Sequence, residues 1–540
     1  MNNKVLVVGI DGGAWTILRW GIDHGFLPFL STLVNDGASG ILQSTIPANT
    51  PTAWTTFQTG LNPGHTGVFH FSYWDRTDRK SHLVSASLLP TTLWEHLGNA
   101  GKSVGVLNVP MTYPPRPVNG FMVTGLLTPS DNVNFTYPPQ LQQELLRHVP
   151  DYHIFQVGCA HVGMPHEHFE DYVNDLARSL DQRQRAADFL IARQPLDVFM
   201  IHFQATDVVQ HVLWDYLDES QTLFTPEKRR FIFERFYRRL DNHIAAIRDA
   251  FARKNPGPCL TLIISDHGFQ KHRKIFNLAN WLADIGFLRL NRVRLWAESA
   301  LRCAERLALD KLLNKLRHPD SFHKQRLKVV TRLELINWKH TRALPIFKGG
   351  EGMIYLVEDD PNARRRTARE LTEKILKLID PADGQPLAQA VYPRDELFHG
   401  PVIELLPDLI IQPRPGYSFN GDYEAHAPLL RPVRPHPDRH IGAHHRDGVI
   451  IAAGQNVKPQ NGLVAQIADI APTILSYLNL PVSQNMDGRN LAELFLETSP
   501  STTTTTPPTA TSTLPDMPQD PYSPAEQEQI RQHLRDLGYL

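Results

Sequence analysis

Short apolar runs alternate with longer stretches of helical periodicity along most of the chain. Two of those stretches, 166–192 and 226–253, repeat apolar residues at the spacing of an amphipathic helix. Strands that alternate with helices usually build a mostly parallel sheet with helices on both faces, so we predict an α/β fold. The predicted strands are 4–10, 103–108, 197–203, 260–265, 353–357, 408–412 and 448–453.

Three segments depart from this pattern, and the remainder, 1–285 and 346–498, is predicted to form one catalytic core. Residues 286–345 are rich in Arg, Lys and Leu at helical spacing, with no strand signal. They predict a basic helical insertion that caps a site, faces a membrane or partner, or simply packs on the core. Residues 499–523 have a Ser/Thr/Pro composition that predicts a disordered linker. In 524–540 an early Pro and a late Gly predict a terminal helix.

The composition limits the classes of protein to which this chain can belong. The 540 residues include 41% hydrophobic and 21% charged residues, which suits a large globular chain. A formal net charge of -1 creates no general attraction for nucleic acid, and three widely spaced cysteines argue against a disulfide framework. The N-terminal apolar run is too short for a signal peptide, and no run approaches the roughly 18 apolar residues of a membrane span. We therefore expect a cytoplasmic protein without a nucleic-acid partner.

Two of the predicted strands end in residues that bind metals. The run VLVVGIDGG reaches Asp11, and LTLIISDHG reaches Asp266 and His267. The carboxyl ends of parallel strands are where α/β folds place their chemistry. Carboxylate oxygen and imidazole nitrogen are ligands that zinc and manganese accept, so the sequence predicts a metal site at this edge.

A candidate nucleophile lies in PANTPTAWTTFQTG. Thr50 followed by Pro51 predicts a helix start with Thr50 as its N-cap, and Gly60 would end that helix. The free N–H groups at such a terminus can hold a phosphate. Taken alone, Thr-Pro is usually only a cap. Coordination to a metal would activate the hydroxyl of Thr50 for attack.

Further metal-binding residues follow the strand 197–203. Asp207 and His211 are four positions apart, which places both on one face of a helix. The stretch RHIGAHHRDG adds three histidines, although neither pattern is specific by itself. Together the candidates suffice for two metal ions, which in such sites act on both oxygens of an in-line displacement. These candidates are Asp11, Thr50, Asp207, His211, Asp266, His267 and one of His440, His444 and His445.

Several short motifs carry a family resemblance. They are VVGIDGG, TGLNPGHTGVF, DVVQH, SDHG and GAHHRDG, together with residues 467–491. The chain resembles the alkaline phosphatase superfamily, and within it the type I phosphodiesterase / nucleotide pyrophosphatase branch. The resemblance covers residues 4–285 and 346–493. It implies an alkaline-phosphatase-like three-layer sandwich whose central sheet is mostly parallel.

The resemblance also implies the ligands and the reaction. Two divalent ions, zinc or alternatively manganese, would assist Thr50, which attacks phosphorus of a small phosphoester. Water would then hydrolyse the phospho-threonine. The family pattern G-x-H selects His444 after Gly442, with His445 as the alternative. The implied sets are Asp11, Thr50, Asp266 and His267 for one metal, and Asp207, His211 and His444 for the other.

One position departs from the family. Nucleotide pyrophosphatases have a phosphate-contacting Asn after the T-G turn, where this chain has Phe71 with His70 beside it. Nucleotide substrates are therefore in question, whereas the metal chemistry is not. The neighbouring aromatic residues would either line a leaving-group site or belong to the core. They are Phe69, Phe71, Tyr73 and Trp74.

Three functional readings follow from these residues. The leading prediction is a metal-dependent phosphodiesterase or pyrophosphatase. Hydrolysis of phosphomonoesters or phosphonates, or phosphoryl transfer of the phosphoglycerate mutase type, would use the same residues. A non-catalytic metal-binding scaffold, acting through residues 286–345 and the tail, is the alternative of another class.

Overall fold

A computed structural model describes residues 2–155, 168–291, 332–346, 350–433, 442–496, 503–504 and 521–537. Most of the predicted basic insertion and of the predicted linker lies outside these residues.

A nine-stranded sheet forms the centre of the molecule, in the order β9-β2-β8-β7-β1-β6-β3-β4-β5. Strand β8 runs antiparallel to both neighbours and β5 antiparallel to β4, while the remaining pairs are parallel. Apolar side chains alternate between the two faces, so a separate hydrophobic layer covers each of them. The strands are β1 (Lys4–Ile10), β2 (Ala38–Gln43), β3 (Val104–Leu107), β4 (Gly120–Val123), β5 (Thr136–Tyr137), β6 (Val198–Phe203), β7 (Cys259–Ile264), β8 (Asp447–Ala453) and β9 (Gln460–Gln466).

Helices cover both faces of this sheet, which confirms the predicted α/β class. Both long predicted helices are present, and the second contains a π-helical turn at Phe233–Tyr237. Among the described residues, none of the helices combines the length and the apolar character that a bilayer crossing requires. The helices are Trp15–Asp23, Pro28–Asp36, Thr50–Thr59, Pro63–Thr66, Leu93–Asn99, Leu141–His148, Phe169–Arg193, Ala205–Leu217, Pro226–Ile232, Arg238–Lys254, Leu278–Asp284, Pro361–Ile375, Arg394–Leu397, Ile470–Tyr477 and Pro524–Asp536.

A second, four-stranded antiparallel sheet has its own hydrophobic core. The predicted strands 353–357 and 408–412 are present but lie in this sheet and not in the central one. Ala343–Pro345 is a further strand, although no strand was expected in 286–345. The order of strands is Ala343–Pro345, Gly352–Leu356, Leu409–Pro413 and Ala388–Pro393.

Smaller strands complete the fold, and several lie beside the carboxyl edge of the central sheet. The antiparallel pair Gly268–Lys271 and Gly442–His445 directly follows β7 and precedes β8. The others are Ser72–Asp75 with Lys80–Leu83, Lys274–Asn277 with Tyr417–Asn420 and Leu430–Pro432, and Val482–Ser483 with Thr503–Thr504.

The C-terminal helix Pro524–Asp536 packs onto the body of the protein. Ile530 and Leu534 are buried in the hydrophobic layer on one face of the central sheet. The hydroxyl of Tyr522 donates to the carbonyl oxygen of Leu127 at 3.1 Å. The end of the chain is therefore part of the main core, despite the long segment that precedes it.

Candidate metal centre

Three predicted ligands meet where β1 and β7 end side by side. The two strands are parallel and pair Gly9 with Ile264, so Asp11 lies beside Asp266 and His267. Nε2 of His267 lies 3.2 Å from Oδ2 of Asp266 and 3.7 Å from Oδ1 of Asp11. All three side chains are fully buried. Their ligand atoms lie within 4.8 Å of one another, which makes them a first candidate metal cluster.

A second cluster, formed by Asp207, His211 and His444, adjoins the first. Oδ1 of Asp207 lies 3.4 Å from Nε2 of each histidine, and the two Nε2 atoms are 2.9 Å apart. Ligand atoms of a tetrahedral zinc ion are separated by roughly 3.3 Å, because each bond is about 2.0 Å long. Nε2 of His267 is only 3.9 Å from Oδ1 of Asp207, so the two clusters are contiguous.

The imidazole rings are oriented by backbone carbonyls. The Nδ1 atom of each ring lies close to a carbonyl oxygen, which favours the tautomer with the proton on Nδ1. Nε2 then keeps its lone pair for a metal, as in most histidine ligands of metalloproteins. The contacts are His211 Nδ1 to Gly442 O at 3.2 Å, His267 Nδ1 to Gly268 O at 3.2 Å and His444 Nδ1 to Ala48 O at 2.9 Å.

Several buried polar atoms at this site have no hydrogen-bond partner in the described part of the chain. A buried polar atom without a partner costs free energy, and the great majority of such atoms in folded proteins are paired. Ligation of a cation would satisfy each of these atoms. They are Oδ1 of Asp11, Oγ1 of Thr50, Oδ2 of Asp266 and Nε2 of His267.

The charges of the site also fit a cation. Burial, together with the charges of Asp266 and Asp207, raises the pKa of Asp11 well above its usual value. Burial raises the pKa of Asp266 to about 7. These shifts show that two carboxylates so close together are costly to ionise, and a divalent ion between them would remove that cost.

The pKa of Asp207 is shifted in the opposite direction. Burial alone would raise its pKa, but the neighbouring His211 and His444 more than offset that effect and hold the pKa well below its usual value. For His444, burial opposes the charged form, yet the bond to Asp207 raises its pKa overall. In the second cluster, the neighbouring imidazoles therefore already stabilise the negative charge of Asp207.

The predicted helix Thr50–Thr59 is present, with one correction to its predicted cap. Asn49 is the N-cap, because its side-chain oxygen accepts from the backbone N–H of Thr52 at 3.1 Å, and Thr50 is the first helical residue. Gly60 ends the helix in the left-handed conformation, as predicted.

Contacts on both sides of Thr50 connect it to the two clusters. Before it, the carbonyl of Ala48 contacts His444. One turn after it, Nε1 of Trp54 donates to Oδ2 of Asp11 at 3.3 Å. The segment 48–54 therefore contacts both clusters, and the buried hydroxyl of Thr50 lies within that segment.

Of the three late histidines, the structure brings only His444 into a cluster among the described residues. Nδ1 of His445 accepts from the backbone N–H of Asp447 at 3.1 Å, and the ring is about one-third exposed. His440 lies outside the described residues. Successive side chains of the strand Gly442–His445 point to opposite sides, so only one of His444 and His445 can face the cluster.

Sequence reasoning missed the residues that hold the ligands in place. Nε2 of His202 lies 2.9 Å from Oδ2 of Asp11, and the N–H of Gly12 donates to Oδ1 of Asp266 at 3.0 Å. Burial lowers the pKa of His202 to about 3, so its ring is neutral and can donate to Asp11. The sequence feature that could have indicated this role is a single histidine in the otherwise apolar run of β6.

The aromatic residues after the helix belong to the core. Phe69, Phe71 and Trp74 are no more than 2% exposed and pack in hydrophobic clusters, and Tyr73 packs beside them. Phe71, at the position of the family's phosphate-contacting Asn, is therefore a core residue. His70 is buried too, and burial together with the nearby His444 lowers its pKa to about 3.

Comparisons with known proteins bear on the fold and the family of the chain. No curated protein sequence matches the chain. The structure is similar to human ectonucleotide pyrophosphatase / phosphodiesterase 5, with a TM-score of 0.51, 14% identity, and coverage of 92% of this chain and 100% of that one. It is also similar to phosphonoacetate hydrolase from Sinorhizobium meliloti, with a TM-score of 0.50, 15% identity, and coverage of 84% and 90%.

At these identities the two structures show only a shared fold. The family itself is shown by sequence. The model of the type I phosphodiesterase / nucleotide pyrophosphatase family matches residues 5–445, which is most of the chain and includes every residue of both clusters. The chain therefore belongs to the type I phosphodiesterase / nucleotide pyrophosphatase family and is a hydrolase of phosphoester bonds.

Proposed function

We propose that this hydrolase cleaves small phosphodiesters or pyrophosphates with Thr50 as its nucleophile and two divalent ions, zinc or alternatively manganese. The observation that carries the proposal is the pair of contiguous carboxylate–imidazole clusters, each in contact with the segment 48–54. The unpartnered buried atoms of the first cluster favour the same conclusion. The residues proposed to hold the ions are Asp11, Thr50, Asp266 and His267 for one, and Asp207, His211 and His444 for the other.

Bound divalent ions would favour the ionised hydroxyl of Thr50 and offset negative charge on the transferring phosphoryl group. Oγ1 of Thr50 forms a bond to phosphorus while the bond from phosphorus to the leaving oxygen breaks. The hydroxyl proton is released, and the leaving oxygen departs as an alkoxide or phosphate that takes up a proton. Water then cleaves the phospho-threonine, which restores the hydroxyl.

The chain itself supplies orientation and charge stabilisation. Among the first residues of the helix Thr50–Thr59, Pro51 has no N–H and the N–H of Thr52 donates to Asn49. The N–H of Thr50, at the positive end of the helix dipole, is therefore the group that suits a non-bridging phosphate oxygen. His202 and Trp54 both contact Oδ2 of Asp11, which leaves Oδ1 for a cation. Burial of the ligands excludes competing water from the first cluster.

The substrate is proposed to be a small phosphoester. The phosphate contact that nucleotide pyrophosphatases make through an Asn is missing at position 71. Phe71 has no polar side-chain atom that could donate to a phosphate, and its ring packs in the core. His70, the adjacent residue, is the candidate replacement, since it lies near His444. The cytoplasmic location stays a prediction.

A substrate panel tests the proposed function. Enzyme freed of metal by a chelator and then supplied with zinc or manganese is assayed with nitrophenyl diesters, monoesters and phosphonates. We expect turnover of the diester in the metal-loaded enzyme and none in the metal-free enzyme. Efficient hydrolysis of the monoester without diester cleavage would overturn the diester assignment, and preference for the phosphonate would favour a phosphonate hydrolase.

A further inference from the structure

A third group of metal-type ligands lies away from the candidate metal centre. His65, His399 and Asp487 come from three distant parts of the chain, and their ligand atoms lie within 4.8 Å of one another. Nε2 of His399 is 2.8 Å from Oδ1 of Asp487. The rings of His65 and His399 meet edge to face, with centroids 5.3 Å apart. We call these three residues the peripheral triad.

The backbone holds the three segments of the peripheral triad together without help from its side chains. The N–H of Asp487 donates to the carbonyl of Gly60 at 2.8 Å, and the N–H of Val402 donates to the carbonyl of Gly64 at 3.0 Å. A Cβ at Gly64 would lie 2.4 Å from the carbonyl oxygen of His399, so only glycine permits this approach. The ligand positions are therefore preformed.

Neighbouring groups orient the carboxylate of the peripheral triad. The backbone N–H and the side-chain amide of Asn62 donate to Oδ2 of Asp487 at 2.6 and 3.0 Å. Oδ1 then faces His399. Hydrogen bonds of this kind orient the ligands of known metal sites, and the loss of one typically lowers metal affinity about 10- to 100-fold.

The peripheral triad is separate from the catalytic residues. It adjoins the end of the helix Thr50–Thr59, whereas Thr50 begins it, and ten helical residues span about 15 Å. The side chain of His399 is 72% exposed, so a cation can reach the triad from solvent.

We propose that the peripheral triad is a third metal site, which binds zinc or a similar transition-metal ion. Two imidazoles and one carboxylate form a ligand set that zinc uses with a fourth, solvent position. The ion would connect the loop after the nucleophile helix, the unit built on the second sheet and the segment around Asp487. The ion would link these three segments, and the proposal does not depend on the proposed catalytic function.

Metal stoichiometry tests this site directly. Full-length protein stripped by a chelator is titrated with zinc, and bound zinc is measured by equilibrium dialysis and elemental analysis. The variants are His399→Ala and Asp487→Asn, with His340→Ala as the control for an exposed histidine outside any cluster. We expect each triad variant to bind about one equivalent less zinc than the wild type, because only two of the three protein ligands remain. The control should match the wild type.

Unchanged zinc stoichiometry in either variant would overturn the proposal and leave the peripheral triad as a hydrogen-bonded contact. Retained turnover and an unchanged circular dichroism spectrum show that the variants fold. Zinc should also raise the melting temperature of the wild type more than that of Asp487→Asn, a conservative change that keeps a side-chain oxygen for Asn62. An equal rise in both proteins would likewise contradict the third site.

Discussion

Thr50 is the residue on which the proposed reaction depends. Its hydroxyl is buried in a segment that contacts both clusters, and no hydrogen-bond acceptor or donor occupies it among the described residues. We expect Thr50→Ala to lower kcat by on the order of a thousandfold or more, because no other hydroxyl replaces a covalent nucleophile. Steady-state kinetics measure the loss.

The control for that variant is Thr56→Ala, a buried threonine on the same helix. It should keep kcat within a few-fold of the wild type, since it lies beyond the first turn of the helix. A Thr50→Ala enzyme with wild-type turnover would show that attack does not come from this residue.

At the residue scale, His202 is proposed to hold the candidate metal ligand Asp11 in position. Its neutral ring lies 2.9 Å from Oδ2 of Asp11, whereas Trp54 contacts the same oxygen at 3.3 Å. We expect His202→Phe, which keeps the ring volume, to weaken binding of the first metal roughly 10- to 100-fold, as loss of a partner of a metal ligand usually does. Competition with a chelating dye measures the affinity.

Trp54→Phe provides the comparison, since it removes the longer of the two contacts to Asp11. Its effect on metal affinity should be smaller than that of His202→Phe. Equal affinity in wild type and His202→Phe would show that Asp11 is held in place without this histidine.

At the scale of elements, the positions where strands end could be predicted, because they depend on the local sequence. The runs that became β1, β6, β7 and β8 are apolar and β-branched, and their bounds agree with prediction within a residue or two. Sheet membership could not be predicted, because it depends on pairing between distant segments. Gly352–Leu356 resembles a central strand in sequence yet pairs antiparallel with Leu409–Pro413.

Helix caps show a similar limit of sequence reasoning. Both Asn49 and Thr50 can cap a helix, and the Pro51 that follows is compatible with the first or the second helical position. The structure selects Asn49, whose side chain also donates to the carbonyl of Phe69 at 3.1 Å. The cap therefore depends on a tertiary contact that no local pattern contains.

The turn between β1 and the first helix gives a prediction at this scale. Gly12 has a φ of 65° and Gly25 a φ of 72°, so alanine at either position carries backbone strain. A Cβ at Gly12 would also lie 2.5 Å from the ring of Phe269, whereas Gly25 faces open space. We expect Gly12→Ala to lower the free energy of unfolding by about 1–3 kcal/mol more than Gly25→Ala.

Denaturant unfolding of the two glycine variants measures this difference. Gly12→Ala should also bind metal more weakly, because a backbone shift that relieves the clash with Phe269 would displace the N–H that donates to Oδ1 of Asp266. Equal stability of both variants would mean that Phe269 moves aside without cost.

At the scale of the whole molecule, the candidate ligand residues could be named from motifs, but the residues that contact them could not. Asp11, Asp207, Asp266, His211 and His267 all follow or end strands of the central sheet, which a local reading can find. Which of His444 and His445 faces the cluster depends on how the strand Gly442–His445 approaches the helix Ala205–Leu217. That approach is a property of the folded chain.

The C-terminal helix connects the end of the sequence to the core and gives a prediction for overall stability. Ile530 and Leu534 are at most 1% exposed. Replacement of a buried Ile or Leu by Ala typically costs about 2–5 kcal/mol, so Ile530→Ala and Leu534→Ala should each lower the melting temperature markedly. The exposed Gln529→Ala serves as the control. Melting temperatures equal to that of the control would show that the helix contributes nothing to the core.

The central claim is that Thr50 lies between two metal ions held by aspartates and histidines. A crystal structure of the protein soaked with zinc and vanadate tests it most directly, because anomalous scattering locates the zinc ions. We predict one ion on Asp11, Asp266 and His267, a second on Asp207, His211 and His444, and vanadium bonded to Oγ1 of Thr50. Zinc ions bound elsewhere, or vanadate bound away from Thr50, would contradict the account.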